Sequence, residues 1–584
     1  MKLRSASVML ALSLVAAANA AEYAQTSSEV YRPDPASAPK QEQWRAGAAK
    51  AGTATLRLPA LAPERATAVR KRNAEARQRR LQVGIGRAIA SEAVDDLPRL
   101  QWQAVAGGSV ARLDVASTGA SALRTGLRVA NWPDTAELRV AGTDYSEQIY
   151  AVDGAAAKAQ AGADGVYWTA VTDGELQHLE LFVPANVDPA TVVLNVDAVS
   201  HLLLRQQAPE PLSKALGDSE SCNVDVVCLA GTLGANFTSV KNAVARMLFQ
   251  SGGSTYTCSG TLINDLVDSS QIPWFFTAHH CIGNQSEASS LVTFWNNETP
   301  SCGSDQNGPN IQVGGGAQLS YSQSTTDGAL LRLNGNPPAG AVLAGWSANP
   351  LTPNSAILGI HHPSGDIKKA SRGTHSGVTD NLNLGGQLIN STLRASWSSG
   401  TTEGGSSGSG LFTLGSNGYQ LRGGLYGGRA SCSNSGLSEA AGNVDYYSRF
   451  DQIYPSIQQF LGAAASNGPT RDYTGQWDLS SESGRGLSMF QFNQLLFALW
   501  FVYDGQGRAS WYQLDPAWTG VDVASGRVVR WTGSPWGPNY NPDARQLTNV
   551  GTFTLTFTSA TQANFSYNVD GVNRSIVLSK ISVN

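Results

Sequence analysis

Short apolar runs alternating with polar positions recur through most of this 584-residue chain, separated by stretches rich in Gly, Pro, Asn and Ser. Alternation with a period of two places apolar side chains on one face of a strand, so the pattern predicts many short strands joined by turns. From about 98 to 205, the runs Leu113-Asp-Val115, Leu127-Arg-Val129, Leu138-Arg-Val140, Leu179-Glu-Leu181 and Val192-Val-Leu-Asn-Val196 predict a small β-sandwich. Short strands continue from about 217 to 462, where Gly415-Ser-Asn-Gly418 lies between two strand-like runs and predicts a hairpin. At the end of this region the period changes. Ile453, Ile457, Phe460 and Leu461 share a helical face, and Gly462 follows where a helix would stop. Residues 473–584 alternate again, in Phe553-Thr-Leu-Thr-Phe557 and Phe565-Ser-Tyr567. They hold six of the 14 Trp (Trp477, Trp500, Trp511, Trp518, Trp531 and Trp536) and read as a separate small β domain. In a domain of that size, aromatic residues more often fill the core than bind a ligand. Residues 21–60 are rich in Ala and Pro without a period and read as a linker, as do residues 463–472.

Composition adds a compartment. Lys2 and Arg4 precede the apolar run Val8–Ala18, and Ala18-Asn-Ala20 ends it, the layout of a secretory signal peptide over residues 1–20. That run is too short to span a bilayer, and no later segment predicts a membrane anchor. Six cysteines, Cys222, Cys228, Cys258, Cys281, Cys302 and Cys432, all fall between 222 and 432. An even number in an exported chain predicts three disulfides within one domain, with 15 pairings open. A net charge of −4 gives no global pull toward nucleic acid. The basic run holding Arg65, Arg70, Lys71, Arg72, Arg77, Arg79 and Arg80 reads better as a solvated helix than as a nucleic-acid patch. The predicted layout is a signal peptide (1–20), a prosegment with linker and β-rich domain (21–216), a cysteine-bearing domain (217–462), a linker (463–472) and a C-terminal β domain (473–584).

Three segments carry chemistry. An apolar strand runs into Phe275-Phe-Thr-Ala-His-His-Cys281, and a serine sits among glycines in Glu403-Gly-Gly-Ser-Ser-Gly-Ser-Gly410. Between them, Asp327 heads the apolar run Gly328-Ala-Leu-Leu-Arg-Leu333. A serine hydroxyl becomes a nucleophile when a histidine takes its proton, a carboxylate holds the histidine in one tautomer, and paired donors receive the oxyanion. Each segment alone has a blander reading: a flexible Ser-Gly linker, or a structural or metal-binding histidine pair. His361-His362 is a second such pair, and a zinc site built from both pairs is the less favoured alternative.

Together these motifs resemble the bacterial lysyl endopeptidases, a branch of the trypsin-like serine proteases. The resemblance implies a mainly β chain: a chymotrypsin-like double β-barrel between a β-sandwich-like prodomain and the small C-terminal β domain. It implies a catalytic triad of His280, Asp327 and Ser407, with His280 rather than His279 as the base because it directly precedes Cys281. The N–H groups of Gly405 and Ser407 would form the oxyanion hole. The family's disulfide pattern would pair Cys222 with Cys432, Cys228 with Cys302, and Cys258 with Cys281. Asp445, in Asn443-Val-Asp-Tyr-Tyr447, matches the carboxylate of the substrate pocket, which Trp397, Tyr426 and Gly427 would complete. The alternative for Asp445 is the N-cap of the closing helix.

The chain also departs from the family pattern. Tyr426 stands where the family carries a histidine stacked on the pocket tryptophan, which loosens the preference for Lys over Arg. Ser406 precedes the nucleophile where ordinary trypsins have an aspartate that binds the new N-terminus, so a Cys222–Cys432 bond would anchor that end instead. The implied partners are protein or peptide substrates with Lys or Arg at the cleaved bond, and the chain's own propeptide as inhibitor. No cofactor or metal is implied. A non-catalytic adhesin on a degenerate protease scaffold, and an esterase using the same triad, are the rival readings. Lys214, the one basic residue between Arg205 and Lys241, marks the expected point of self-cleavage. The C-terminal domain resembles a short β module appended to various exported bacterial proteins.

Overall fold

The structure, a computed structural model, describes residues 24–33, 42–46, 53–75, 80–91, 100–206, 218–267, 270–304, 308–384, 386–462, 469, 472–479, 482, 484–492, 495–520 and 522–581. The expected signal peptide and Lys214 lie outside the described residues. The chain forms two units, Met1–Leu461 and Gly462–Asn584.

Within the first unit, the N-terminal region is a two-layered sandwich. One layer runs Ala54–Leu58, Gly108–Ser117, Leu176–Pro184, Glu137–Gly142, Tyr150–Asp153, with Trp102–Val105 beside Gly108–Ser117. The other contains Ala122–Arg128, Asn195–Leu202 and Leu81–Ala88. Alternate residues of the predicted runs meet between the layers: Leu113, Val115, Leu138, Val140, Leu179 and Leu181 face Leu123, Leu127, Val196 and Val199. The second layer does not end there. Leu81–Ala88 pairs antiparallel with Ser254–Ile263, matching Leu81 with Thr257 and Ile85 with Ser254, so one sheet runs from the sandwich into the next domain.

The linker expected over 21–60 is corrected. Glu29–Val30 pairs with Val342–Leu343, and Ala54–Leu58 pairs in parallel with Gly108–Ser117. A two-residue strand is too short to show a period, and its partner lies about 300 residues away. The basic segment forms the helix Pro63–Glu75, with Val69 turned inward and most other side chains in solvent.

Two barrels follow. The first pairs Val244–Ser251, Ser254–Ile263, Trp274–Thr277, Gly328–Leu333 and Ala317–Gln323 in succession, with Val292–Trp295 on the free side of Val244–Ser251. In the second, Lys369–Leu384, Ala356–His361, Gly410–Gly415, Gly418–Gly428, Asp445–Ser448 and Gln387–Ser399 are neighbours in turn, and pairing of the first with the last closes the ring. The predicted hairpin is present, with Gly415 opposite Gly418 and Gly418 at φ 94°. The closing helix, Phe450–Ile457, is shorter than expected. Ile453, Ile457 and Leu461 are buried on one face, but Phe460 and Leu461 already lie in a turn that ends at Gly462, φ 59°.

The second unit is a closed barrel of eight antiparallel strands in chain order, sealed where Gly475–Asp478 meets Val572–Lys580. Trp477, Trp500, Phe553, Leu555, Phe557 and Phe565 fill it, whereas Trp536 is 97% exposed.

Candidate active site

Strand Trp274–Thr277 crosses the first barrel and delivers Ala278, His279, His280 and Cys281 to its rim. The Cys258–Cys281 disulfide ties that rim to the neighbouring strand; the other disulfides join Cys222 to Cys432 and Cys228 to Cys302. Asp327 sits at the head of Gly328–Leu333 with no exposed surface. Its φ of 50° is a left-handed conformation that a non-glycine residue adopts only when its surroundings demand it. The twist turns its carboxylate back onto His280: the backbone N–H donates to Oδ1 (3.0 Å) and ring Nδ1 lies 2.9 Å from Oδ2. A carboxylate accepts only, so Nδ1 carries a proton, which in the neutral tautomer puts the lone pair on Nε2. His280 Nε2 has no hydrogen-bond partner among the described residues, so the Ser407 hydroxyl is not bonded to it. His279, next door, turns away and bonds Ser322 Oγ at 2.7 Å.

The serine loop of the second barrel is pressed against this rim. Ser259 N–H donates to Ser407 O (2.8 Å), and Thr277 Oγ1 donates to Ser259 O (2.9 Å). Gly408, at φ 78°, passes so close that a Cβ there would stand 2.1 Å from Thr277 Oγ1. Gly405 has φ 92°, again a conformation suited to glycine. Among the described residues, the N–H groups of Gly405 and Ser407 have no partner. Ser406 faces inward: its hydroxyl accepts from Glu403 N–H (3.1 Å) and lies 2.8 Å from His361 Nδ1, while His361 Nε2 meets Ser371 Oγ at 3.1 Å. Ser371 Oγ donates to Thr401 O, so Nε2 carries the His361 proton and Nδ1 accepts from Ser406. Burial, aided by Lys369, drives the His361 pKa down to about 3. The two histidine pairs do not converge on a metal site among the described residues. The one candidate cluster containing a histidine, Cys258, His280 and Cys281, is occupied by a disulfide.

Asp445 begins the strand Asp445–Ser448 and is 1% exposed. Its Oδ2 accepts from Trp397 Nε1 and Thr402 Oγ1, both at 2.7 Å, and burial pushes its pKa up to about 6. Gly428 makes room for the carboxylate, since a Cβ there would meet Oδ1 at 2.3 Å. The N-cap reading of Asp445 is overturned, because the helix starts at Phe450 with Arg449 as its cap residue. The expected stacking of Trp397 with residue 426 is corrected as well. Trp397 packs with Leu425 and Tyr447, 6.2 Å from the latter ring, whereas Tyr426 packs with Leu382 and Ile389. Tyr426 is the extra residue where the register shifts between Leu425 and Gly427, and it packs in a different cluster from Trp397. The Tyr426 ring instead stands edge-on to His280 at 5.7 Å, and its hydroxyl donates to Leu384 O (2.6 Å). Gly427, at φ 145°, lies between Tyr426 and Gly428, opposite Tyr446.

Residues 57–203 match the family model of the lysyl endopeptidase N-terminal domain, and residues 216–448 match that of the lysyl endopeptidase C-terminal domain. The lysyl endopeptidase of Pseudomonas aeruginosa is 35% identical over 397 residues, 65% of this chain and 81% of that protein. The chain belongs to the lysyl endopeptidase family. It is therefore a serine endopeptidase. Among solved structures, the MamO protease domain of Magnetospirillum magneticum has 14% identity and a TM-score of 0.27, covering 38% of this chain and 99% of that one. A protease of M. tuberculosis in its active form also has 14% identity and a TM-score of 0.27, covering 44% of this chain and 94% of that one.

In this lysyl endopeptidase relative, a cleft of about 550 Å³ opens beside His280 and Tyr426. Arg80, from the N-terminal region, lines it too, its guanidinium 2.9 Å from Glu287 Oε1 and 4.4 Å from the centre of the Tyr256 ring. The next residue, Leu81, would touch a Cβ on Gly404 at 3.1 Å. Neither contact is legible in the sequence, where Arg80 closes a basic run that reads as solvated. Two other contributors lie at the entry to the serine segment without a signature of their own. Thr402 supports Asp445, and Glu403 accepts from Glu220 N–H, Asn223 Nδ2 and Ser364 Oγ, joining the segment around Cys222 to the loop.

Proposed function

We propose that the protein is an exported enzyme that hydrolyses peptide bonds on the carboxyl side of Lys, and of Arg as a second basic residue, through His280, Asp327 and Ser407. The observation that carries the reading is the buried Asp327 carboxylate on His280 Nδ1, with the free Nε2 on the rim that the Ser407 loop abuts. Ser407 Oγ attacks the carbonyl carbon while Nε2 takes its proton, and the N–H groups of Gly405 and Ser407 receive the oxyanion. Collapse releases the amine, which takes the proton from Nε2, and leaves an acyl-enzyme. Water repeats the sequence with the acyl-enzyme carbonyl to release the acid.

Asp445 supplies the charge for a substrate ammonium. Trp397 Nε1 and Thr402 Oγ1 hold its Oδ2, and the Ala430 backbone N–H bonds the carboxylate as well, which fixes the charge in place for an incoming cation. The N-terminal region acts as an inhibiting propeptide: Leu81–Ala88 extends the barrel sheet, and Arg80 lines the cleft that His280 also lines. Release follows cleavage after Lys214. The even set of paired cysteines suits an oxidising compartment and hence export.

The test is the purified mature protein on lysyl, arginyl and neutral peptide amides, with and without a serine-directed inhibitor. Inhibitor-sensitive cleavage of lysyl amides, with arginyl amides slower and neutral ones slowest, is expected. Equal rates on all three would remove Asp445 from the pocket. N-terminal sequencing of the Ser407→Ala protein should show a larger precursor uncut at Lys214. Maturation of that variant at the same bond would show that another protease does the work.

A further inference from the structure

Residues 24–33 come shortly after the expected leader and belong by sequence to the prosegment, yet their hydrogen bonds to other segments reach into the cysteine-bearing domain. Thr26 N–H donates to Trp346 O, Ala348 N–H to Ala24 O and Tyr31 N–H to Ala341 O, at 2.8–2.9 Å. Glu29 and Val30 pair with Leu343 and Val342. Among the described residues, the hydrogen bonds this segment makes to other segments go to residues 264–271, 336–348 and 420, all in the cysteine-bearing domain.

The receiving surface is shaped for the segment. Tyr31 is 5% exposed and enters the barrel core with Leu262 and Leu343, while its hydroxyl donates to Asn336 Oδ1 (3.1 Å). Gly345 lets the backbones approach: a Cβ there would stand 2.5 Å from Thr26 O and 2.9 Å from Ser28 N. Gln271 has a left-handed backbone, φ 51°, and spends its side-chain amide on the segment, accepting from Arg32 N–H (2.6 Å) and donating to Glu29 (2.7 Å).

We propose that Gln25–Arg32 is a clasp of the protease domain, and that it stays bound as a separate peptide when the rest of the prosegment is cut away. A burial of this kind, one aromatic anchor plus a strand added to an edge, is a familiar way for a peptide to hold a folded domain. Cleavage after basic residues, the activity proposed above, spares the clasp. Arg32 is the one basic residue between Ala21 and Pro39, and Pro33 follows it, so the next such bond is after Lys40. The binding itself does not rest on that activity.

The experiment uses the full chain with Ser407→Ala, so that self-cleavage plays no part, and with the recognition sequence of a site-specific viral protease inserted between Pro35 and Ala36. After cutting, the clasp peptide is expected to co-elute one-to-one with the remainder on size exclusion, as read by mass spectrometry. In Tyr31→Ala it should be lost from that peak. Gly345→Ala should release it too, with the Tyr31 side chain intact. Separation of the unsubstituted peptide under the same conditions, or equal retention of the Tyr31→Ala peptide, would overturn the proposal.

Discussion

The rims at 279–280 and 361–362 carry the same dipeptide and put it to opposite uses. At the first, a strained aspartate supports one nitrogen of His280, and the other is left without a partner beside a cleft. At the second, His361 has no exposed surface and both its nitrogens are bonded to serine hydroxyls, holding the loop that carries Ser407. A histidine with an unspent lone pair can take a proton; one whose lone pair and proton are both spent inside the fold can only brace. The comparison separates chemistry from support, and substitutions at the two rims should separate them too.

The largest effect falls on the first rim. Ser407→Ala and His280→Ala should each lower kcat by about 10⁶ while leaving secretion and melting temperature near those of the parent. His279→Ala should keep activity, because its ring bonds Ser322 rather than Asp327. Were His279→Ala the inactive variant, the register of the site would be wrong by one residue.

Next comes the pocket. Asp445→Asn should cost roughly 2–5 kcal/mol in kcat/KM on lysyl and arginyl substrates, and much less on neutral ones. Equal losses on both classes would make Asp445 structural. With its pKa raised to about 6, the carboxylate is protonated in acid, so kcat/KM for lysyl substrates should fall below about pH 6. Neutral substrates share any acid loss imposed by the catalytic base, so the ratio of lysyl to neutral kcat/KM isolates Asp445, and in the asparagine variant that ratio should not change with pH.

The second rim should show in stability. Ser406→Ala leaves a buried histidine nitrogen and the Glu403 N–H without their partner, a loss of about 1–3 kcal/mol by chemical denaturation, with a far smaller effect on kcat than Ser407→Ala. The reverse order of effects would exchange the roles of the two serines.

The smallest effect is the pH dependence of stability. Burial drives the His361 pKa down to about 3 and that of His201 to about 4. Between those values and the ordinary 6.5, the unfolded chain binds the proton and the folded chain does not. Stability therefore rises with pH there, and is lost as pH falls below about 6.5, by up to about 1.4 kcal/mol per pH unit for each group. Asp445 acts in the opposite sense, because its folded pKa is raised. Its buried charge costs stability as pH rises from about 4 to 6. Urea titrations of His361→Gln should show a flatter acid limb than the parent, and an unchanged slope would exclude His361 as a source of acid lability.

Much of this was legible in the residues. Alternation in Leu113–Val115, Leu138–Val140 and Phe553–Phe557 marks inward-facing positions, because a strand's period is local and survives any tertiary arrangement. The motifs around His280, Asp327 and Ser407 are legible for a related reason: each is a short segment whose backbone must be shaped locally. Glycine at 405 and 408 and the apolar strand into Thr277 announce themselves without their partners.

Other features have no local signal. The chain alone does not say that Trp397 and Tyr426 pack in different clusters, since that depends on which strands become neighbours. It does not place Arg80 beside His280 or Tyr31 inside a barrel that begins two hundred residues later. By itself, the sequence determined the period of its strands, the chemistry of its motifs and the six cysteines available for pairing. Tertiary structure decided which cysteines met, which histidine kept a nitrogen without a partner, and that residues 29–30 pair with residues 342–343. Those outcomes depend on long-range pairing and burial, which are properties of the folded packing and not of any stretch of residues.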